Sequence, residues 1–245
     1  MGRLTEAIKH LIILNVIFFV ASSIMGLNLG QWMALYFPQN EHFGFWQFVS
    51  HMFMHGGFMH ILFNMYALWA FGSPLEQMWG RNKFLYFYFS AGIGAGLIYT
   101  GVNYLQFNSI YNDLIHIGVS ANDIHNLLTS GKYNSAILDQ ISEKRLSDIY
   151  QIYNTPAVGA SGAIYGVLVA FGMSFPNAKL ALIFLPVPIA AKYFIPVLIG
   201  LDLFSGVTGF SIFGGGIAHF AHVGGAVIGF IMMKYWQKNQ FNRWN

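Results

Sequence analysis

Six long apolar segments dominate this sequence, and they constrain the fold more than any other feature. They cover residues 11–27, 57–71, 84–104, 158–173, 190–204 and 216–235. A helix needs about 20 largely apolar residues to cross a bilayer. Only 9% of the 245 residues are charged and 56% are hydrophobic, whereas a soluble domain has about 25% charged residues. Much of the protein surface must therefore face lipid.

The segments predict an all-α integral membrane protein, a bundle of six transmembrane helices that forms a single domain over residues 1–245. The membrane core is expected at about residues 8–236. The first segment, which follows Lys9, also fits the apolar part of a cleaved signal peptide. The further spans that follow favour a membrane helix instead. The sequence has no cysteine, which excludes disulfide bonds.

The basic residues predict the orientation. If the N-terminus is cytoplasmic and the chain crosses six times, nine of the twelve Lys and Arg residues fall on the cytoplasmic side. These nine are Arg3, Lys9, Arg81, Lys83, Lys179, Lys192, Lys234, Lys238 and Arg243. This bias follows the positive-inside rule, and it predicts a multi-pass protein of the cell membrane with both termini in the cytoplasm. The net charge of +3 is too small to suggest a nucleic-acid partner.

Two stretches depart from the apolar pattern. Residues 106–155 are polar and hold five of the nine acidic residues, so we expect a helical insert on the outer side between the third and fourth helices. Ser120 and Ser135 resemble helix starts within it. The second stretch, residues 180–192, contains Pro186 and Pro188. It is too interrupted for a full span, and we expect it at the cytoplasmic face.

Polar residues at membrane depth are costly, so each is a functional hypothesis. The start of the second segment carries four of them, His51, His55, His60 and Asn64. His60 and Asn64 are four residues apart and share one helix face. His55 precedes a Gly-Gly pair, where the loop should enter the helix. His51, like His42, is expected to be a loop or interface residue.

The fourth segment opens with a serine between small residues. Ser161 lies in the sequence Gly-Ala-Ser-Gly, where its hydroxyl is uncrowded and free backbone N–H groups at a helix start can receive an anion. Tyr165 is one turn later on the same face. Gly162 and Gly166 form a GxxxG face that allows another helix to approach closely.

The sixth segment supplies a histidine above a glycine stripe. His222, Gly225 and Gly229 are spaced by three and four residues, and this stripe can pack on the glycine face of the fourth helix. Both helices would run from outside to inside, which puts Ser161 and His222 at similar depth. They are possible hydrogen-bond partners. His219 falls on a neighbouring face, and its role stays open between packing and function.

These motifs resemble those of the rhomboid family of intramembrane proteases. The resemblance rests on His55-x4-His60-x3-Asn64, on Gly-Ala-Ser161-Gly, on Ala-His222-x2-Gly225-x3-Gly229, and on the Gly-x2-Leu-Glu-x3-Gly pattern at residues 72–80. It covers residues 43–236 apart from the insert. Many members carry a Trp-Arg pair in the first loop, and residues 28–50 contain no arginine.

The resemblance implies a role for each motif residue. Ser161 would be the nucleophile and His222 the base. His60 and Asn64 would donate hydrogen bonds to the oxyanion, and His55 would orient them from behind. Tyr165 would stack on the His222 ring. The substrates would be transmembrane proteins, cleaved in or near the membrane-spanning segment at a site open to the outer side, with neither cofactor nor metal.

The expected distribution of carboxylates predicts a Ser–His dyad. No acidic residue falls near the outer end of the fourth or sixth segment as drawn, because Asp202 is on the fifth and Glu41 is in the first loop. An aromatic ring would then have to orient the histidine. Two alternatives remain open at this point. One is a metal transporter or metalloprotease that uses the histidines, although no H-E-x-x-H motif is present. The other is a non-catalytic protein that binds membrane segments.

Overall fold

The computed structural model describes residues 3–182, 185–210 and 218–241, and the described chain is mainly helical. The helices are α1 (Glu6–Phe19), α2 (Gly30–Met33), α3 (Gln47–Ser50), α4 (Phe58–Ala67), α5 (Ser73–Trp79), α6 (Arg81–His116), α7 (Ala121–Ser130), α8 (Glu143–Asn154), α9 (Ser161–Ser174), α10 (Ala191–Thr208) and α11 (His219–Phe241). Wider π-helical turns extend α1 through Val20–Ile24 and join α4 to α5 through Leu68–Gly72. The chain forms 3-10 turns at His51–Phe53 and Ser135–Asp139.

Three helices are long and apolar enough to cross a membrane. They are Glu6–Ile24, Arg81–His116 and Ala191–Thr208, and the shorter helix Ser161–Ser174 is also apolar. Each lies at one of the six predicted segments. The sixth segment begins at Gly216, which lies outside the described residues, as does the basic residue Arg243 near the C-terminus.

The first helix is anchored by a buried carboxylate. Glu76 accepts hydrogen bonds from the backbone N–H groups of Ala7 (2.8 Å) and Ile8 (3.1 Å), and from the hydroxyl of Thr5. These N–H groups have no partner within the helix because they lie in its first turn. Ala7, Ile8 and Leu11 are buried in the main core. The first segment is thus an integrated part of the bundle, which favours a membrane helix over a signal peptide.

The third helix is longer than the sequence predicted. We expected a span at residues 84–104 and an insert from residue 106, but α6 continues unbroken to His116. At 1.5 Å per residue its 36 residues extend about 54 Å, well beyond the roughly 30 Å hydrocarbon layer. The helix continues because no Gly or Pro interrupts residues 102–116.

The residues after α6 fold around a second apolar core. It joins the C-terminal part of α6 to α7 and α8, and it contains Phe107, Leu114, Ile124, Leu146 and Ile149. Ser120 caps α7 as predicted, since its hydroxyl accepts from the N–H of Asp123. The prediction at Ser135 was wrong in detail, because only a 3-10 turn begins there and α8 starts at Glu143 with Ser142 as its cap.

The all-α expectation omitted a short hairpin. Strands β1 (Lys179–Leu182) and β2 (Leu185–Ala190) pair antiparallel, with Lys179 opposite Ala190 and Leu180 opposite Ile189. Pro186 and Pro188, which indicate that this stretch is too interrupted for a full span, lie in the second strand. A two-stranded ribbon accommodates them because each strand has an unpaired side, where a missing N–H costs nothing.

Helix α9 lies at the centre of the bundle, where α6 and α11 pack against it and against each other. A Cβ atom on Gly162 would be 2.7 Å from the Cβ of Ala95, and one on Gly166 would be 2.6 Å from that of Ala91. On the other side, a Cβ on Gly225 would overlap the carbonyl oxygen of Gly162. Gly229 approaches Gly166 in the same way. The small residues therefore let three helix backbones pack closely, which sets the depth of Ser161 relative to His222.

Candidate active site

Ser161 is the first residue of α9, and the loop before it is held by backbone hydrogen bonds. Leu35 and Ala157 exchange two of these at 2.9 Å, and the N–H of Gly159 donates to the carbonyl of His51 at 2.9 Å. Gly159 has φ +119°, a conformation that a side chain makes costly. The chain thereby turns sharply into α9, and the first N–H groups of the helix remain without intrahelical partners.

Ser161 contacts His222, a residue 61 positions later in the sequence. The Oγ of Ser161 is 2.8 Å from the Nε2 of His222, a hydrogen-bonding distance. The Tyr165 ring is stacked on the His222 ring, with centroids 4.3 Å apart and planes 11° from parallel. The packing of the glycine stripe of α11 on that of α9 brings the two side chains to the same level.

Asp202 completes a chain of contacts that the sequence analysis did not predict. Its Oδ1 lies 3.2 Å from the Nδ1 of His222 and 2.6 Å from the Nδ1 of His219, and its Oδ2 accepts from the Tyr165 hydroxyl. The expectation that no carboxylate lies near the histidine was wrong. Asp202 was assigned to the fifth span, but α10 packs against α11 and turns this carboxylate towards α11.

A signal for Asp202 was present in the sequence. It is the single acidic residue of an otherwise apolar segment, and only 1% of its side chain is exposed in the structure. A buried carboxylate needs partners, and its hydrogen bonds come from Tyr165, His219 and His222. The rule applied to the histidines, that ionisable groups at membrane depth are functional, also applied to Asp202.

His60 faces the serine from α4. Its Nδ1 lies 3.4 Å from the backbone N–H of Gly56, which fits an unprotonated Nδ1 and leaves Nε2 as the N–H donor. A Cβ on Gly159 would lie 2.7 Å from that Nε2 and 3.6 Å from the Oγ of Ser161. The absence of a side chain at Gly159 thus makes room for the His60 ring beside the hydroxyl.

Asn64 and His55 occupy different positions relative to Ser161. Asn64 lines the same cavity as Ser161, and its side-chain amide donates to the carbonyl of His60 at 2.9 Å. His55 lies in the turn before α4, with its ring against that of His60 at a centroid distance of 5.0 Å.

Three other histidines, His51, His42 and His219, lie in three different environments. His51 is buried, its Nδ1 lies 2.7 Å from the carbonyl of Gln47, and its own carbonyl supports Gly159. It is a structural residue that supports the loop before α9. His42 lies in the first loop, with its Nε2 3.7 Å from Glu41, and it does not line the cavity that Ser161 lines. His219 does not face away from the site, because it shares the carboxylate of Asp202 with His222.

Among the described residues, one group has ligand atoms close enough to hold a metal ion. The carboxylate of Asp202 and one ring nitrogen each of His219 and His222 lie within 4.8 Å of one another. The Nδ1 atoms of both histidines already lie within hydrogen-bonding distance of Asp202 Oδ1, so a metal would have to replace those bonds.

The site opens into a cavity of about 2130 Å³. Ser161, His222, His60, Asn64 and Asp202 all line it. The arrangement has the parts of a nucleophilic hydrolytic site: a hydroxyl, an imidazole bonded to it, a carboxylate on the other ring nitrogen, and N–H donors nearby. If Nδ1 carries the ring proton and donates a hydrogen bond to Asp202, Nε2 is free to take the proton of the serine.

A family model described as "Rhomboid domain" matches residues 42–122 and 127–238. It therefore covers most of the chain and all of the motif residues named above.

Known proteins with similar sequences carry related names. The chain is 28% identical to the human "Presenilin-associated rhomboid-like protein, mitochondrial" over 184 residues, 75% of this chain and 36% of the relative. It is 26% identical to "Rhomboid protein 1, mitochondrial" of Saccharomyces cerevisiae, over 78% of this chain and 41% of the relative. It is also 26% identical to "Rhomboid protease GlpG" of Yersinia pestis, over 69% of this chain and 62% of the relative. The chain thus spans well under half the length of the mitochondrial relatives.

Proposed function

The chain belongs to the rhomboid family, and on that premise we propose that it is an intramembrane serine endopeptidase. The observation that carries the proposal is the 2.8 Å contact between the Oγ of Ser161 and the Nε2 of His222. A serine hydroxyl is a weak nucleophile until a base accepts its proton. The base faces the hydroxyl at the wall of an open cavity, so a peptide carbonyl can reach both.

The reaction proceeds through an acyl-enzyme. The Oγ of Ser161 attacks the scissile carbonyl carbon while its proton passes to the Nε2 of His222. The tetrahedral intermediate collapses, the C–N bond breaks, and His222 returns the proton to the departing amine. Water then attacks the ester carbonyl, giving a proton to His222, and Ser161 leaves with that proton. The cut requires no cofactor and no metal.

The oxyanion of the intermediate receives hydrogen bonds from three sides. They are the Nε2–H of His60, the side-chain amide of Asn64 and the backbone N–H of Ser161 at the start of α9. Loss of one such donor typically costs about 3–4 kcal/mol of transition-state stabilisation. His55 packs against His60 and holds its ring in place. Tyr165 holds the plane of the His222 ring by stacking.

Asp202 adds a third member to the expected dyad. Its carboxylate accepts the Nδ1–H of His222, which selects the tautomer with a free Nε2 and stabilises the imidazolium once it forms. Asp202 does not touch the substrate, so it is a positioning residue. Its bonds to Tyr165 and His219 fix the direction of the carboxylate.

The substrates we propose are other membrane proteins, cut in or just outside a transmembrane helix. A helix hides its carbonyls in its own hydrogen bonds, so the substrate must unwind locally before attack. Six helices of the chain would cross the cell membrane, with both termini in the cytoplasm and Ser161 accessible from the outer side. The bias of basic residues supports this orientation.

A reconstituted cleavage assay tests the proposal. The purified chain in liposomes should cut at least one member of a panel of single-span substrates, and Ser161→Ala should abolish the cut. A serine-reactive fluorophosphonate should label Ser161, and His222→Ala should suppress labelling. A folded protein that binds these substrates but neither cuts them nor reacts would instead be a non-catalytic binder. Activity that is lost to a chelator and restored by zinc would favour the metal alternative at Asp202, His219 and His222.

A further inference from the structure

The cavity at Ser161 extends beyond the reacting atoms, onto the insert. On α6 its lining includes Asn103, Gln106 and Ile110, which are three and four residues apart and share one face. On α8 it includes a similar stripe, consisting of Lys144, Arg145, Asp148, Gln151 and Ile152. We call this stripe of α8 the groove face. The insert is thus part of the wall of the same cavity, not a separate appendage.

The polarity of the walls changes along the cavity. Apart from the site residues His60, Asn64 and Asp202, the lining from α4 and from the first part of α10 is apolar and aromatic, including Phe63, Phe194 and Leu198. The groove face carries two basic side chains, one acidic side chain and one amide. A substrate whose apolar membrane helix continues into a polar segment outside the bilayer has the same change of polarity along its length.

The groove face is continuous with the catalytic end of the cavity. Only residues 155–160 separate the end of α8 from Ser161, and Ala157 is fixed by its two backbone bonds to Leu35. The other end of α8 reaches α10, because the Nζ of Lys144 is 3.9 Å from where a Cβ would lie on Gly209. Helix α8 therefore lines the cavity between the segment that leads to Ser161 and the end of α10.

The groove face is also held in place before any substrate arrives. Leu146 and Ile149, on the opposite side of α8, are buried in the apolar core of the insert. Arg145 forms an ion pair with Asp113 of α6 at 2.5 Å. A preformed surface loses less conformational entropy on binding than a mobile one.

We propose that the groove face of α8 binds the polar, extramembrane segment of the substrate that adjoins the cleavage site. This inference rests on the proposed function, and it identifies the part of the substrate that the insert recognises. The 12 residues of α8 extend about 18 Å, enough for about five residues of extended chain. The insert selects substrates by this segment, while the membrane part of the cavity receives the apolar helix.

Two substrates separate this role from catalysis. The first is a single-span protein with its outer polar segment, and the second is the same protein truncated just outside the cut. The double variant Lys144→Ala/Gln151→Ala removes two side chains of the groove face. Glu143→Ala is the matched control, because Glu143 is an exposed neighbour of Lys144 that does not line the cavity.

We expect the double variant to raise KM for the full substrate about tenfold, the loss expected for one to two side-chain contacts. Its kcat should be unchanged, and so should its cleavage of the truncated substrate. The control should match the wild type on both. An equal effect on the two substrates, or no effect on the full one, overturns the inference.

Binding to the Ser161→Ala protein distinguishes failure of this inference from failure of the proposed function. The Kd of the full substrate, measured by fluorescence in liposomes, should weaken about tenfold in the double variant, and that of the truncated substrate should not. If the wild type cuts nothing but this difference in Kd persists, the surface binds the segment and the catalytic proposal fails. If cleavage occurs but the Kd of each substrate is the same for the double variant as for the Ser161→Ala protein, the docking role is wrong and the catalytic proposal stands.

Discussion

The carboxylate of Asp202 lies 3.2 Å from the Nδ1 of His222, on the side of the ring opposite the nitrogen that faces Ser161. The helices α9, α10 and α11 each contribute one member of this chain. The relative rotation of three helices therefore decides whether the serine has a correctly oriented base.

Asp202→Asn should lower kcat without unfolding the protein. The amide is similar in size, but its single oxygen cannot accept hydrogen bonds from Tyr165, His219 and His222 together. Its NH2 group can also point at a ring N–H, and two donors then face each other without an acceptor. We expect a decrease of about 100- to 10,000-fold, measured on a single-span substrate beside a thermal unfolding curve. Asp139→Asn, at an exposed position of the insert, should leave the rate unchanged. A normal rate in Asp202→Asn would show that the carboxylate plays no part.

Tyr165→Phe should separate stacking from hydrogen bonding. The variant keeps the ring that stacks on His222 but removes the hydroxyl that donates to Asp202. A hydrogen bond to a charged group contributes about 1.5–3 kcal/mol, so we expect kcat to fall about tenfold or more. Tyr165→Ala removes both contacts, and its kcat should fall further. Equal rates in the two variants would mean that the stack contributes nothing.

Gly159→Ala should remove most activity. The residue has φ +119°, and the added Cβ would lie 2.7 Å from the Nε2 of His60. The ring or the loop must move, and either change disturbs a hydrogen-bond donor beside Ser161. We expect kcat to fall about 100-fold, the effect of losing one such donor. Gly200→Ala is the control, because nothing lies within 4 Å of its added Cβ. A fully active Gly159→Ala would contradict the assigned position of His60.

Gly225→Ala should destabilise the bundle. Its Cβ would overlap the carbonyl oxygen of Gly162, so α9 and α11 would have to separate. Overpacking typically costs about 1–3 kcal/mol, and backbone against backbone leaves little room to relax. The midpoint of thermal unfolding in detergent measures the loss. Gly101→Ala in α6 meets nothing within 4 Å, and it should be neutral or slightly stabilising because alanine favours helix.

Glu76→Gln should loosen the first helix. The carboxylate accepts from the N–H groups of Ala7 and Ile8 and from Thr5, and an amide offers only one acceptor oxygen for these three donors. We expect a loss of about 1–3 kcal/mol in the free energy of unfolding. Glu41→Gln, whose side chain is 84% exposed, should cost almost nothing. Equal stability of the two variants would rule out the proposed anchoring role.

The chain's sequence by itself determined its class and most of its site. The long apolar segments predict membrane helices, because lipid offers no hydrogen-bond partner for exposed backbone N–H and C=O groups. Local spacing put His60 with Asn64, and Ser161 with Tyr165, on single helix faces. The glycine stripes predicted that α9 and α11 meet, which brings Ser161 to His222. The family resemblance, confirmed by the match to the rhomboid model, assigned roles to these residues.

Only the tertiary structure decided which residues of different helices face one another. Helical periodicity specifies a face of one helix, but not how far that helix is rotated against its neighbours. Asp202 was visible in the sequence, yet its contacts with His219 and His222 depend on how α10 packs against α11. The position of α8 beside the cavity was likewise unpredictable, because it depends on how α6, α7 and α8 pack around a shared core that also includes Phe37 of the first loop.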